Sequence, residues 1–201
     1  MPRRVDHDQR RRHIVEALLH ITGTHGLDAV SLREVAHEAG VSMGAVQHYF
    51  ASKDEMLLFA LKHWLSLGVH ERFAARLRAR LAREAASEPA AVLRALAAEY
   101  LPHDEPSRSD ARVALAFLSR AAAEPALAAA LKPAFTGFVD TLCAALQGAA
   151  GPIEAPAEAR RLAALLDGLR LPVLIDALSH EDALAVVERH LAQLPTTSHQ
   201  I

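Results

Sequence analysis

The chain has 201 residues, 51% of them apolar and 4% aromatic, with a formal net charge of −2. That length suits one large domain or a small domain joined to a larger one, and the near-neutral balance excludes a generic polyanion binder. Ala and Leu dominate and no alternating run of β-branched residues occurs, so the fold class expected is all-α, with about nine helices. Cys143 is the only cysteine, which rules out an intrachain disulfide framework and fits a reducing, cytoplasmic setting. The N-terminus lacks the apolar core of a signal peptide, and no stretch is expected to reach the ~20 apolar residues that span a bilayer. A soluble intracellular protein without a membrane role is the expectation.

In chain order, Ile14, Ala17, Leu18 and Ile21 place an apolar stripe on a first helix from about Asp8 to His25, which Gly26 ends. Arg3-Arg4 and Arg10-Arg11-Arg12 form basic clusters before or at its start. They read either as an arm that reaches phosphates or as a solvated terminus. Residues 1–53 hold seven Lys/Arg against six Asp/Glu, a net of +1, and the remainder fifteen against eighteen, a net of −3.

Residues 31–56 carry most of the information. Ser31 caps a short helix, with Glu34 three residues on completing a capping box. Gly40 breaks that helix, and Val41 can plug the core behind the turn. Ser42 starts a second short helix through about Phe50. Ser52 and Glu55 repeat the cap-and-box signature and open a long third helix. Two short helices joined by a Gly-containing turn form a helix-turn-helix, whose second helix can enter the DNA major groove. An ordinary αα-hairpin is the alternative. In the DNA reading, Met43, Gly44 and Ala45 let the backbone approach closely. Gln47 can pair with adenine, His48 can donate to a guanine acceptor, and Met43, Ala45 or Val46 can touch a thymine methyl.

The string AGVSMGAVQHYFASKDEML resembles the DNA-binding signature of the TetR family of transcriptional repressors: an Ala-Gly-Val turn, a Ser cap, a small-residue recognition helix, Tyr-Phe, then Ser-Lys-Asp/Glu and Leu. The match extends back through Ile14 and Gly26, over about the first quarter of the chain. Residue by residue, Met43, Gly44, Ala45, Gln47 and His48 align with groove-facing positions, and Arg33 with another position that reaches a base edge. Val46 faces the head's core. Tyr49 and Lys53 match backbone contacts, with Ser31 and Ser42 as further phosphate candidates. The resemblance implies a DNA-binding domain over residues 1–53 and an effector-binding and dimerisation domain over 54–201. It implies a ligand-responsive regulator, usually a repressor, which binds a palindromic operator as a homodimer.

The third capped helix is expected to run from Lys53 to Arg83 or beyond, with Leu57, Leu61, Trp64 and Gly68 on one face. Arg72, Arg76, Arg80 and Arg83 form a stripe that reads as solvated or, less simply, as a second nucleic-acid surface. Further helices follow from Glu88-Pro89 to Tyr100, from Ser109 to Ala123, and from Glu124-Pro125 to Gln147. The loop 102–110 and the linker 148–156 separate them. A helix from Ala157 to Ala177 contains Pro172, where Gly168 leaves room for a bend. Ser179 caps the last helix. These two helices carry Leu162, Leu166, Leu169 and Val173, and Leu184, Val187 and Leu191, which the resemblance assigns to a dimer interface. It also places an effector pocket among the middle helices, where Trp64, Tyr100, Arg112, Phe117, Arg120, Phe135 and Phe138 are the bulky or polar candidates. Each aromatic can equally be core. Their apolar bias favours a small hydrophobic or amphipathic effector. No cofactor and no catalytic motif is expected: there is no phosphate loop, HExxH or GxSxG. Twelve histidines raise a metal-responsive regulator of the same fold as an alternative, but they lack close metal-ligand spacing. A transcriptional activator is the other.

Overall fold

Local signals set most element boundaries. The structure, a computed structural model, describes residues 2–67, 69–84, 88–149 and 154–194, the side chains of 2–6, 67, 148 and 149 excepted. The helices are α1 (Pro2–His25), α2 (Leu32–Glu38), α3 (Met43–Tyr49), α4 (Lys53–Leu67), α5 (Val69–Arg83), α6 (Pro89–Tyr100), α7 (Glu105–Ala121), α8 (Pro125–Ala149), α9 (Ala155–Leu174) and α10 (His180–Leu191). A short 3-10 turn covers Leu27–Ala29, and no strand occurs among the described residues. The segment expected as one long helix from Lys53 corresponds to α4 and α5, which flank residue 68; that residue lies outside the described ones. Pro89 and Pro125 sit in first turns, where a missing N–H costs nothing. Ser31, Ser42 and Ser179 accept the backbone N–H three residues on, as expected of caps.

Three boundaries differ from expectation. α1 starts at Pro2, six residues before Asp8, because nothing between these positions breaks a helix and Pro is tolerated at its start. The loop 102–110 shrinks, since α7 begins at Glu105. Asp104 caps it: Ser107 N–H donates to Asp104 Oδ1 at 2.8 Å, and Asp104 N–H donates to Ser107 Oγ at 3.0 Å. Pro106, in that first turn, reads as a loop signal but obstructs nothing. Finally, α9 continues only two residues past Pro172.

The chain divides into two compact units, one of residues 1–70 and 109–132, the other of residues 71–108 and 133–201. The first is built on a core of Ile14, Leu18, Val35, Val46, Phe50, Met56, Leu57, Leu61, Trp64 and Phe117. The second packs Leu93, Leu96, Leu142, Leu146, Leu162, Leu166, Val173 and Val187, with Cys143 half-buried against them. Within α8, the 23-residue span Pro125–Gln147 holds an 18-residue window of mean hydropathy 1.2, long and apolar enough by length and composition to cross a membrane, against the expectation that no stretch would. Alanine supplies much of that hydropathy, and Lys132 and Asp140 interrupt the run.

The arginine stripe on α5 divides: Arg72 and Arg83 are exposed, as a solvated stripe would be, while Arg76 and Arg80 are half-buried and turn to Glu99. Arg80 Nε donates to Glu99 Oε1 at 2.6 Å, and Arg76 lies 3.4 Å from the other oxygen of this buried carboxylate. The pairs fasten α5 to α6 inside the second unit. A buried carboxylate is tolerable only when paired in this way. His103 stands 3.8 Å from Glu99, and its ring is 5.4 Å from that of His180 at the start of α10. Burial, then the charges of His103 and Arg80, hold the His180 pKa below its ordinary 6.5, outweighing the Pro102 carbonyl and Glu99.

Because the unfolded chain protonates His180 more readily, the stability tied to its neutral ring is complete above about pH 6.5 and lost as pH falls through the lower folded value. Thermal midpoints at pH 8 and pH 5 should therefore fall less on acidification in His180→Asn than in the wild type. In urea denaturation, Phe117→Ala, which empties a fully buried site, should cost about 3–5 kcal/mol. Phe135→Ala, at an exposed site, should stay within about 0.5 kcal/mol.

Candidate nucleic-acid interface

The first unit positions the helix-turn-helix through a C-terminal motif on α2. Gly40, at φ +64°, takes the left-handed conformation. Val41 N–H donates to Ala36 O at 3.0 Å and Gly40 N–H to His37 O at 3.1 Å, the paired bonds of a Schellman turn. Val41 packs against the core, as its place after the turn suggests. Ser42 Oγ then accepts Ala45 N–H at 3.1 Å and starts α3.

Val46, buried completely, sets the rotation of α3. With Val46 inward, Met43, Gly44, Gln47 and His48 are exposed on the opposite face, and Ala45 is half-buried at its margin. Met43 leaves 50% of its surface uncovered. Arg33 is exposed on α2, and Ser31 is exposed while its Oγ accepts Glu34 N–H at 3.1 Å. Tyr49 is half-buried, packed against the core and edge-on to His48 at 5.2 Å. Lys53 Nζ donates to Val30 O at 2.6 Å, which pins its ammonium beside the 3-10 turn. The structure thus places nine of the ten DNA-contact candidates on α2, α3 and their N-caps and the tenth, Lys53, at the start of α4, with four of them sharing one free face.

Sequence reasoning did not find the clamp behind this face. Glu55, at the start of α4, accepts Ala51 N–H, one residue before the Ser52 cap, at 2.8 Å and also accepts Arg11 at 2.7 Å. The Arg11 guanidinium lies 4.6 Å above the Phe50 ring and 4.4 Å above Phe59. Nor did it find the ring of His7, edge-on to Tyr49 at 4.9 Å. The sequence shows a basic cluster, but not that it is helical and folded back onto α3 and α4.

The effector candidates divide between the units. In the first, Trp64 and Phe117 fill the core, and the Trp64 indole N–H is buried without an acceptor. Arg112 donates to Gly23 O at 3.1 Å, and Arg120 pairs with Asp54 at 3.1 Å and Glu124 at 2.6 Å. Arg120 also lines an open cleft of about 410 Å³ with Leu27, Asp28, Ala116, Ser119, Ala123 and Glu124. A cleft of about 270 Å³ lies among His20, His25, Glu34, His37 and Glu38. Among the described residues no three His, Cys, Asp or Glu are placed to hold a metal. In the second unit Tyr100 and Phe138 stack at 4.4 Å. The Tyr100 hydroxyl donates to Asp167 at 2.6 Å beneath the Arg170 guanidinium, 4.1 Å from the ring. Burial and the Asp167 charge raise the Tyr100 pKa, against the pull of Arg170. Phe135 stands apart, exposed.

Of the residues expected at a dimer interface, four are covered by their own subunit and three keep part of their surface. Leu162, Leu166, Val173 and Val187 are buried in their own subunit, and Leu169, Leu184 and Leu191 are packed partly against them. A side chain with no exposed surface has none to give a partner. The large apolar side chains exposed most here are Leu171 (51%) on α9, Ile175 (64%) at its C-cap and Val186 (41%) on α10. Arg108 supports the end of α9, donating to Leu174 O at 2.8 Å, to Val173 O at 3.3 Å and to Asp176 at 3.0 Å, beside the left-handed Asp176 at φ +57°.

The head matches the family described as bacterial regulatory proteins, tetR family, over residues 14–59, and residues 89–196 match the BetI-type transcriptional repressor C-terminal family. The HTH-type transcriptional regulator BetI of Burkholderia thailandensis is 34% identical over 171 residues, 85% of this chain and 85% of that protein. The crystal structure of a transcriptional regulator from Rhodococcus sp. Rha1 shares 34% identity and a TM-score of 0.77, covering 92% of this chain and 95% of that one. A putative transcriptional regulator from Saccharomonospora viridis, solved in complex with choline, shares the fold at TM-score 0.73 and 24% identity, covering 92% of this chain and 94% of that one. The chain belongs to the TetR family of transcriptional regulators.

Proposed function

We propose that the protein is a ligand-responsive repressor that binds a palindromic operator as a homodimer in the cytoplasm. The observation that carries this reading is the free face of α3. Burial of Val46 turns Met43, Gly44, Gln47 and His48 outward. Residues 1–53 make the DNA-binding domain and residues 54–201 the effector and dimerisation domain. Gln47 reads a base edge, and His48, Met43 and Ala45 line the groove contact with Gly44. Arg33 reaches a further base, while Tyr49, Lys53, Ser31 and Ser42 set the register on phosphates. Lys53 has two ammonium protons beyond the one given to Val30 O.

Binding should be measured on a duplex selected from a random pool and on a scrambled duplex. Gln47→Ala should cost about 1–3 kcal/mol per half-site on the selected duplex and relax preference at one base pair in each. Lys53→Ala should weaken both duplexes alike and flatten the salt dependence by about two units, one for each subunit. Equal loss on both duplexes for Gln47→Ala removes its reading role.

One small head makes too few contacts for specific binding, so two heads on a twofold axis read sites one helical turn, roughly 34 Å, apart. Leu171 on α9, Ile175 at its C-cap and Val186 on α10, all exposed, mark the surface we assign to the second copy. Ile175→Asp should yield monomers in sedimentation and lower operator affinity, with the fold intact because the side chain is exposed. A dimer that persists places the interface elsewhere.

The effector in this reading is a small hydrophobic or amphipathic molecule that binds the DNA-incompetent state more tightly. Trp64 and the Tyr100–Phe138 stack offer apolar area with a polar handle: an indole N–H without an acceptor in one case, the Tyr100 hydroxyl and Asp167 in the other.

A further inference from the structure

Four side chains of the second unit form one continuous group. Tyr100 ends α6, Phe138 lies midway along α8, and Asp167 and Arg170 stand one turn apart on α9. The Phe138 ring stacks on Tyr100 at 4.4 Å, with 13° between the planes. The Arg170 guanidinium lies over the Tyr100 ring, 4.1 Å from its centre. An aromatic face attracts a cation through its quadrupole, and here the chain supplies that cation itself. The Tyr100 hydroxyl donates to Asp167 Oδ1 at 2.6 Å, and Arg170 reaches the same oxygen at 3.5 Å. One guanidinium, one carboxylate and a phenol that burial keeps protonated leave the group without net charge.

A donor is left over. Arg170 is 7% exposed, and its Nε–H is buried with no hydrogen-bond partner. A buried charged donor without an acceptor costs free energy that an incoming acceptor recovers. Asp167, whose side chain is 33% exposed, opens the group to solvent.

We propose that Arg170 sets the charge class of the effector: with the cation seat on Tyr100 filled from within, this group takes an amphipathic molecule that offers an acceptor oxygen to Arg170 Nε, and it refuses a quaternary ammonium ion. The proposal rests on the ligand-responsive reading above and names the ligand class for its candidates in the second unit. An outside cation would have to displace the guanidinium from the ring against like-charge repulsion. An oxygen acceptor meets a donor that is still open. Removing the guanidinium should reverse the preference, because an aromatic stack beside a lone carboxylate suits a quaternary ammonium.

Calorimetry on the full chain tests this with three probes that share a benzyl body: benzyltrimethylammonium, phenylacetate and phenylacetamide. Phenylacetate or phenylacetamide should bind the wild type about tenfold tighter than Arg170→Leu, the scale of a hydrogen bond to a charged donor. Which of the two binds tells an anionic from a neutral effector. Benzyltrimethylammonium should show the opposite order, with Arg170→Leu binding about tenfold tighter. Equal affinity of wild type and variant for the ammonium probe, absence of binding to both included, overturns the proposal. A wild type that binds neither oxygen probe more tightly than Arg170→Leu does likewise. Arg170→Gln, which keeps a polar side chain at the site, repeats both comparisons if the leucine variant does not fold. Failure of the regulator reading shows separately: an oxygen probe bound with the expected preference that leaves affinity for the selected duplex unchanged at saturation sustains the charge class and removes ligand responsiveness.

Discussion

Rotation of one seven-residue helix decides what this protein can touch. α3 is too short to be stable on its own, and Val46 is its one buried residue. Burying that side chain beside Val35 and Phe50 fixes the helix about its axis, and everything presented outward follows by periodicity. The Schellman turn at Gly40 sets where α3 begins, and Phe50, buried just past its end, sets where it stops. The recognition face is thus held from three sides by apolar burial and backbone bonds, leaving its own side chains uncommitted.

The second unit distributes polarity differently. Its core is aliphatic, but one end contains Glu99 at 4% exposure amid Arg76, Arg80 and His103. Such a group gives little net stability relative to an apolar replacement, while breaking it leaves a charge stranded. It does define which residues of α5, α6 and α10 lie together. Arg108 does the same for the end of α9, by satisfying carbonyls that the helix itself leaves open.

Features that depend on three or four neighbouring residues were legible in the sequence. Ser42 and Ser179 cap as their positions suggest, Ser52 accepts the Glu55 N–H of its box while the Glu55 carboxylate takes the N–H of Ala51 rather than of Ser52, and Gly26 and Gly40 adopt the positive φ that ends a helix. Features that depend on a distant partner were not. Helical spacing marks Leu166 and Val187 as lying on a buried side, but it cannot say whether their own chain or another buries them. The arginines of α5 form a visible stripe, and the acceptor, Glu99, lies on a different helix. Asp104 and Ser107 were obscured for another reason: PHDEPSRSD is polar throughout, so a cap within it looks like more loop. The start of α1 carries no local signal, because a helix without a core face has no period to detect.

Lys53 illustrates what folding can settle in advance. Its flexible four-carbon stem is drawn in by the Val30 carbonyl before any partner arrives. Ordering a lysine costs up to ~2 kcal/mol of rotamer entropy. Here that loss belongs to formation of the head, not to association. An incoming polyanion meets an ammonium whose location is already chosen, the condition known as preorganisation. A lysine waving freely from the same backbone position would carry equal charge and bind more weakly.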